Sequence, residues 1–402
     1  MNTHAIVADY VFDGCSIHDD ASVVIEGSQI AALRPQSELP ADLPIHRLPR
    51  GAWLAPGFID LQVNGGGDVL FNNSPTPETI IAIAAAHRRF GTTAILPTFI
   101  TDTREKTKVA ICSAQKAMES EPSVLGIHLE GPYLSPEKAG AHDPDLMRRP
   151  DDLDLKMLCA DWEGKLLVTL APERVPQGFI SRLIAAGRVV SLGHSAATYE
   201  QTCSAMAEGL NGFTHLFNAM RPLGSRAPGP IAAALESVDA WYGLIADGWH
   251  VSPAMLRLAL RGLGHPMLVT DAMPPVGGHH SSFQLYGKEI KVAGGRCLRP
   301  DGTLAGAALD MATAIRNCIN FLHVPLQDAL RFASRNPAEF IGVGHQLGRL
   351  APAYRADIVA FDPDTLTVFG TWVAGADRHK VDAEHKQKRA GRTEPRRLAD
   401  LL

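Results

Sequence analysis

Four residues able to do metal and proton chemistry stand at the ends of apolar runs. Glu130 closes "VLGIHLE", His194 sits in "VVSLGHS", His215 in "GFTHLFN" and Asp271 in "MLVTDAM". A carboxylate that ends an apolar strand and is followed at once by Gly-Pro is poorly placed for packing and well placed to face a cavity. A lone histidine on an apolar run is more often packed and hydrogen-bonded than a ligand, but two in successive runs, with Glu130 two runs before them, change that balance. One carboxylate and two neutral imidazoles make the three-ligand open site of a catalytic zinc-type centre, with a position left for water or substrate. Asp271 has two readings: a cap for the following turn, or a general base that takes a proton from an activated water and returns it to a leaving nitrogen. His128 shares the face of Glu130 but lies two residues deeper, so it reads as a hydrogen-bonded core histidine.

Polar residues crowd the following loops. "FNAMRPLGSRAPGP" carries Asn218, Arg221 and Arg226 between glycines and prolines, "ADGWH" supplies His250, and "AGAHDPDLM" supplies His142. Arginine suits bidentate contact with an anionic oxygen pair, so a phosphate-bearing substrate fits; the alternative for either arginine is a solvated or ion-paired surface side chain. "GFIDLQVNGGG" places Gln62 and Asn64 on one face of a strand, where His-x-His would grip an ion. Amides bind zinc-like ions far less well than imidazoles, so this strand predicts one strongly held ion rather than two. The triple glycine belongs to neither phosphate-loop pattern, and no G-x-S-x-G elbow occurs.

The elements that must position these residues are legible as eight short apolar runs, at 57–63, 93–99, 124–130, 166–172, 189–195, 212–218, 242–248 and 267–273. Helix-like stretches separate most of them, which predicts an α/β fold, a (β/α)8 TIM-like barrel with its chemistry at the C-terminal ends of the strands. The β-patterned flanks predict a small β-sandwich from 1–54 and 350–380, around a hydrolase barrel over 55–349. Within the barrel, 281–306 reads as a hairpin excursion with glycine turns, followed by a helix over about 309–322. A locally basic tail over 381–402 reads as a solvated end. With 402 residues, 46% hydrophobic and 20% charged, a sizeable core is available, and a net charge of −5 disfavours a general nucleic-acid binder. Six cysteines without a C-x-x-C pair fit reduced thiols, and neither a secretory signal nor a membrane-length apolar run is present, so a cytoplasmic protein without membrane contact is expected.

Together these motifs resemble the amidohydrolase superfamily, and within it the N-acetylglucosamine-6-phosphate deacetylase family. The resemblance runs from "PGFIDLQVNGGG" through "GIHLEGPYLSPEKAGAH", "SLGHS", "GFTHLFNAMRPLGSRAPG", "ADGWHV" and "LVTDAM" to "ASRNPAEFIGVGHQLGRLAPAYRADIVAFD". It implies that Glu130, His194 and His215 bind one divalent metal ion per subunit, zinc or iron, and that Asp271 is the acid/base residue. It implies that Asn218, the Ala219 backbone, Arg226 and His250 hold a sugar phosphate, with His142 beside the acetamide. It also implies a homodimer in which Arg226 reaches the neighbouring subunit's site, and hydrolysis of N-acetylglucosamine 6-phosphate to glucosamine 6-phosphate and acetate. The galactosamine epimer, another amidohydrolase substrate and a silent sugar-phosphate-binding scaffold are the alternatives.

Overall fold

The computed structural model describes residues 3–378. Eight parallel strands lie side by side in chain order: β1 (Phe58–Val63), β2 (Thr92–Ile100), β3 (Gly126–Glu130), β4 (Lys165–Leu170), β5 (Val189–Leu192), β6 (Gly212–Phe213), β7 (Trp241–Leu244) and β8 (His265–Leu268). A parallel bridge from Val63 to Ala272, and the Asp271 N–H donating to the Gln62 carbonyl at 2.9 Å, bring the segment after β8 back to β1. The result is the (β/α)8 barrel that the alternating runs predict. Every residue of β1, β2 and β3 is buried. Helices cover parallel strands from outside and barrel side chains fill them from inside, so such strands read as continuous apolar runs. The helices start where side chains cap them: Thr76, Thr103, Asp151, Thr198 and Asp310 each accept a backbone N–H of the first turn.

Two antiparallel-rich sheets flank the barrel, one of four strands and one of six. The later strand Ile358–Phe361 pairs with Trp53–Pro56, which stitches the chain after the barrel to the chain before it. Ile6, Val23 and Ile25 of one sheet pack in a common core with Leu54, Ile358 and Trp372 of the other. The expected basic tail over 381–402 lies outside the described residues.

One element differs from expectation. The segment read as a hairpin is a four-stranded antiparallel meander, Ser282–Leu285, Lys288–Ala293, Arg296–Leu298 and Leu304–Ala307. Its four strands bury Leu285, Ile290, Cys297 and Ala305 in a small core with Met273, and Ala307 against the barrel, too few apolar positions to mark four separate strands in sequence. The following helix, Met311–Leu322, is where the pattern places it.

Beneath the barrel mouth, the interior holds a chain of polar groups. His128 Nδ1 lies 3.2 Å from Thr98 Oγ1 and its Nε2 lies 2.7 Å from Thr169 Oγ1. Thr169 Oγ1 meets Thr214 Oγ1 at 2.7 Å, and Thr214 donates to Ser191 Oγ at 2.7 Å. Burial pushes the His128 imidazole down to about 4, so it is the neutral, hydrogen-bonded core histidine expected.

Candidate active site

Glu130 is the last residue of β3, while His194 and His215 each lie two residues beyond β5 and β6. Their ligand atoms fall within 4.8 Å of one another. Glu130 Oε1 is 3.2 Å from His194 Nε2 and 2.9 Å from His215 Nε2, and the two Nε2 atoms are 3.1 Å apart. The Lys138 carbonyl lies 2.8 Å from His194 Nδ1 and so accepts that nitrogen's proton, leaving a lone pair on Nε2 aimed at the cluster. Lone pairs and a carboxylate oxygen at these separations repel one another unless a positive charge lies between them. The group could therefore bind a metal ion, and a carboxylate with two imidazoles is a donor set that suits one. Burial opposes ionisation of Glu130, yet the His194 and His215 contacts hold its carboxyl well below the usual range.

The backbone does unusual work here. His194, His215 and Asp271 have φ of 47°, 34° and 49°, and Phe217 and Ala219 have 79° and 48°. Left-handed conformations at non-glycine residues cost on the order of 1–3 kcal/mol each and collect at functional sites. Each such residue turns the chain sharply just past its strand, at the barrel mouth.

Asp271 follows β8 by three residues and faces this cluster. Its carboxylate accepts from Asn64 Nδ2 at 2.6 Å and from Gln62 Nε2 at 3.3 Å. Gln62 Nε2 also faces both oxygens of Glu130 at 3.2 Å. The amides of Gln62, in β1, and Asn64, one residue past it, thus present N–H groups where His-x-His would present lone pairs, and Gln62 ties one carboxylate to the other. Burial, and then the charge of Glu130, push the Asp271 carboxyl up to about 6.

These groups open into a cleft of 190 Å³ whose wall includes Asn64, Glu130, His142, His194, His215, Asn218, Ala219, His250 and Asp271. His142 Nδ1 takes the Thr101 N–H at 3.4 Å and meets Thr101 Oγ1 at 2.8 Å. Burial, and then His194, hold the His142 imidazole well below its ordinary range, so it is neutral and keeps its proton on Nε2. His250 Nδ1 donates to Asp247 Oδ2 at 2.6 Å. Asn218 Nδ2 donates to the His215 carbonyl at 3.0 Å. Ile100, Met273, Leu285, Leu304 and Ala305 supply an apolar wall, the last three from the meander, which therefore covers the site. Gly306, at φ 73°, lets the meander approach: a Cβ there would stand 2.5 Å from Met273 Cγ.

Eight of the nine residues expected from sequence thus meet at one cleft. Arg226 does not: it is exposed on the loop after β6 and does not line the cleft of its own chain. Arg221, beside it in sequence, donates from Nε to the Ala196 carbonyl at 2.9 Å. Asp247, Thr101 and the Lys138 carbonyl escape the sequence reading. Asp247 three residues before His250 is a spacing that could have revealed it; the other two act from 41 and 56 residues away in sequence and leave no local signal.

A barrel of this kind with a carboxylate, two imidazoles and an aspartate at its mouth defines a class of metal-dependent hydrolase. A profile of the amidohydrolase family matches residues 53–384, and the chain belongs to that family. As a member it is an enzyme, a hydrolase. It is 44% identical over 343 residues to the N-acetylgalactosamine-6-phosphate deacetylase of Shewanella sp. (strain ANA-3), covering 84% of this chain and 86% of the relative. It is 34% identical to the N-acetylglucosamine-6-phosphate deacetylase of Haemophilus influenzae, covering 92% and 98%. The solved N-acetylglucosamine-6-phosphate deacetylase of Pasteurella multocida superposes with a TM-score of 0.89 at 36% identity, covering 93% of this chain and 98% of that one. Among the described residues no helix is long and apolar enough to cross a membrane.

Proposed function

We propose that this enzyme hydrolyses the N-acetyl group of N-acetylglucosamine 6-phosphate, giving glucosamine 6-phosphate and acetate. The observation that carries this is the meeting of Glu130, His194 and His215 with Asp271 in one cleft, with Gln62 hydrogen-bonded to both carboxylates. An amide is a poor electrophile with a poor leaving group. Its hydrolysis needs a polarised carbonyl, an activated water and a proton for the amine.

Glu130, His194 and His215 hold one divalent ion, zinc or iron. Such an ion, when bound, acts as a Lewis acid that polarises a carbonyl and acidifies water. A single ion is favoured because Gln62 and Asn64 turn N–H groups, not lone pairs, toward the carboxylates. Asp271 takes the water's proton on a carboxylate oxygen and delivers it to the departing nitrogen, so the acetyl carbon gains the hydroxyl and the amine leaves neutral. Asn64 holds the Asp271 carboxylate in place for both transfers. His142, neutral with its proton on Nε2, donates a hydrogen bond to the acetamide.

Asn218, the Ala219 backbone and His250 hold the sugar phosphate, with His250 fixed by Asp247. Arg226 completes that subsite in a homodimer, as Arg226 of the partner subunit, which accounts for its exposure outside its own cleft. A cytoplasmic location fits the six cysteines, all of them free.

A second reading is favoured by the 44% identity to a galactosamine-type deacetylase, which exceeds the 34% to the Haemophilus glucosamine-type enzyme. The two substrates differ at one hydroxyl. Measuring kcat/KM on both sugar phosphates tests the choice: a higher value for the glucosamine compound supports the first reading, and a higher value for its epimer replaces it with the second.

A further inference from the structure

Among the described residues, His215 Nδ1 and Gln62 Oε1, buried at the base of the site, have no hydrogen-bond partner. Both residues line a cavity of 20 Å³ inside the barrel, whose other polar walls are His128, Ser191 and Thr214. All of these side chains are buried. One water needs about 10–15 Å³ of such space and two to four polar partners. We propose that an ordered water sits there, accepting the His215 Nδ1 proton and donating to Gln62 Oε1, and that Gln62 acts through it as a positioning residue for His215. This rests on the metal-hydrolase reading given above.

The hydrogen-bond directions agree from each side. Carboxylates only accept, so the contacts to Glu130 and Asp271 require the Gln62 NH2 on that side and turn its oxygen away from them. His215 can ligate through Nε2, the atom 2.9 Å from Glu130, only if its proton is on Nδ1, which then needs an acceptor. Thr214 donates to Ser191 Oγ at 2.7 Å, so the Ser191 hydroxyl hydrogen is left for the water as a third partner. Gln62 therefore serves two faces at once. Its NH2 joins the two carboxylates, and its oxygen, through the water, sets the tautomer of a ligand. His194 reaches the same end through the Lys138 carbonyl at 2.8 Å.

The test uses the zinc-loaded protein. A high-resolution crystal structure locates waters, 15N spectra of its histidines report which nitrogen of His215 carries the proton, and chelator competition measures zinc affinity. The expected results are a water within about 3.2 Å of both His215 Nδ1 and Gln62 Oε1, a protonated Nδ1, and a loss of roughly 10–100-fold in zinc affinity in Gln62→Met. If wild-type protein holds zinc on Glu130, His194 and His215 with no water at that position, or if Gln62→Met binds zinc as tightly as wild type, the inference is overturned and the deacetylase reading stands. Wild-type protein that holds no zinc at those residues overturns both. Should Gln62→Met fail to fold, the wild-type water and the His215 signal still decide.

Discussion

Replacing Asp271 with asparagine separates proton transfer from everything else the site does. The side chain keeps its size, and its Oδ1 can still accept from Asn64, now 2.6 Å away. Asp271 lies outside the Glu130, His194 and His215 group, so metal content should stay at the wild-type level. What is lost is the ability to take a proton from water and hand it to nitrogen. General acid–base catalysis contributes about 10²–10⁴-fold for a positioned group, and here one carboxylate serves two transfers. A loss in kcat of roughly 10³–10⁵-fold follows, or about 4–7 kcal/mol at the barrier. KM should move little, because the asparagine still fills the same wall of the cleft. The assay is acetate release under saturating substrate, with metal content and thermal unfolding measured on the same preparation. A variant that folds, holds its metal and retains kcat within tenfold of wild type would refute the assigned role.

Three further outcomes are expected. Burial pushes the Asp60 carboxyl up from 3.8 to about 7; the folded state therefore keeps this proton to higher pH than the unfolded chain, and stability falls as pH rises from about 4 to 7. That difference, about three decades in proton affinity, corresponds to about 4 kcal/mol, so denaturant unfolding of Asp60→Asn and wild type should show a gap that changes by that order across the window and is level above it. Asp154 is gripped by Arg104 and Arg148, which hold its carboxyl well below the usual range against the opposing effect of burial. The clamp's stabilisation is present above about pH 4 and is lost as pH falls through the depressed value; Asp154→Ala should cost about 1–3 kcal/mol at neutral pH in the same unfolding experiment, because Arg104 and Arg148 stay partly open to water once their partner is gone. Asp247→Asn removes the carboxylate that receives the His250 Nδ1 proton at 2.6 Å; KM for the sugar phosphate should rise about tenfold with kcat nearly unchanged, and a fall in kcat at constant KM would show that His250 serves chemistry instead of binding.

The barrel was legible because its strands are buried on both faces: "TAILPTF" and "GFIDLQV" announce themselves by lacking solvent positions. The residues at the mouth were legible for the converse reason, since Glu130, His194, His215 and Asp271 interrupt those same apolar runs. The meander was not, because its turns and exposed faces give the helix and strand periods little to act on. Contacts that steady the site from a distance left no trace in local sequence. The Lys138 carbonyl on His194 and Thr101 on His142 exist only once the loops after β3 are folded against the strands beside them. Gln62 and Asn64 were seen as a missing pair of ligands, whereas in the folded chain they are donors that hold the two carboxylates. Arg226 was singled out in sequence, yet within one chain it stands on an exposed loop away from the cleft.

The most direct test of the central claim is a metal titration of the stripped protein, with acetate release from N-acetylglucosamine 6-phosphate and its galactosamine epimer followed at each step. The expected result is activity on at least one of the two that rises linearly and saturates at one zinc or iron ion per chain. Full activity in the stripped protein, saturation only at two ions, or no acetate from either compound at any loading would contradict it.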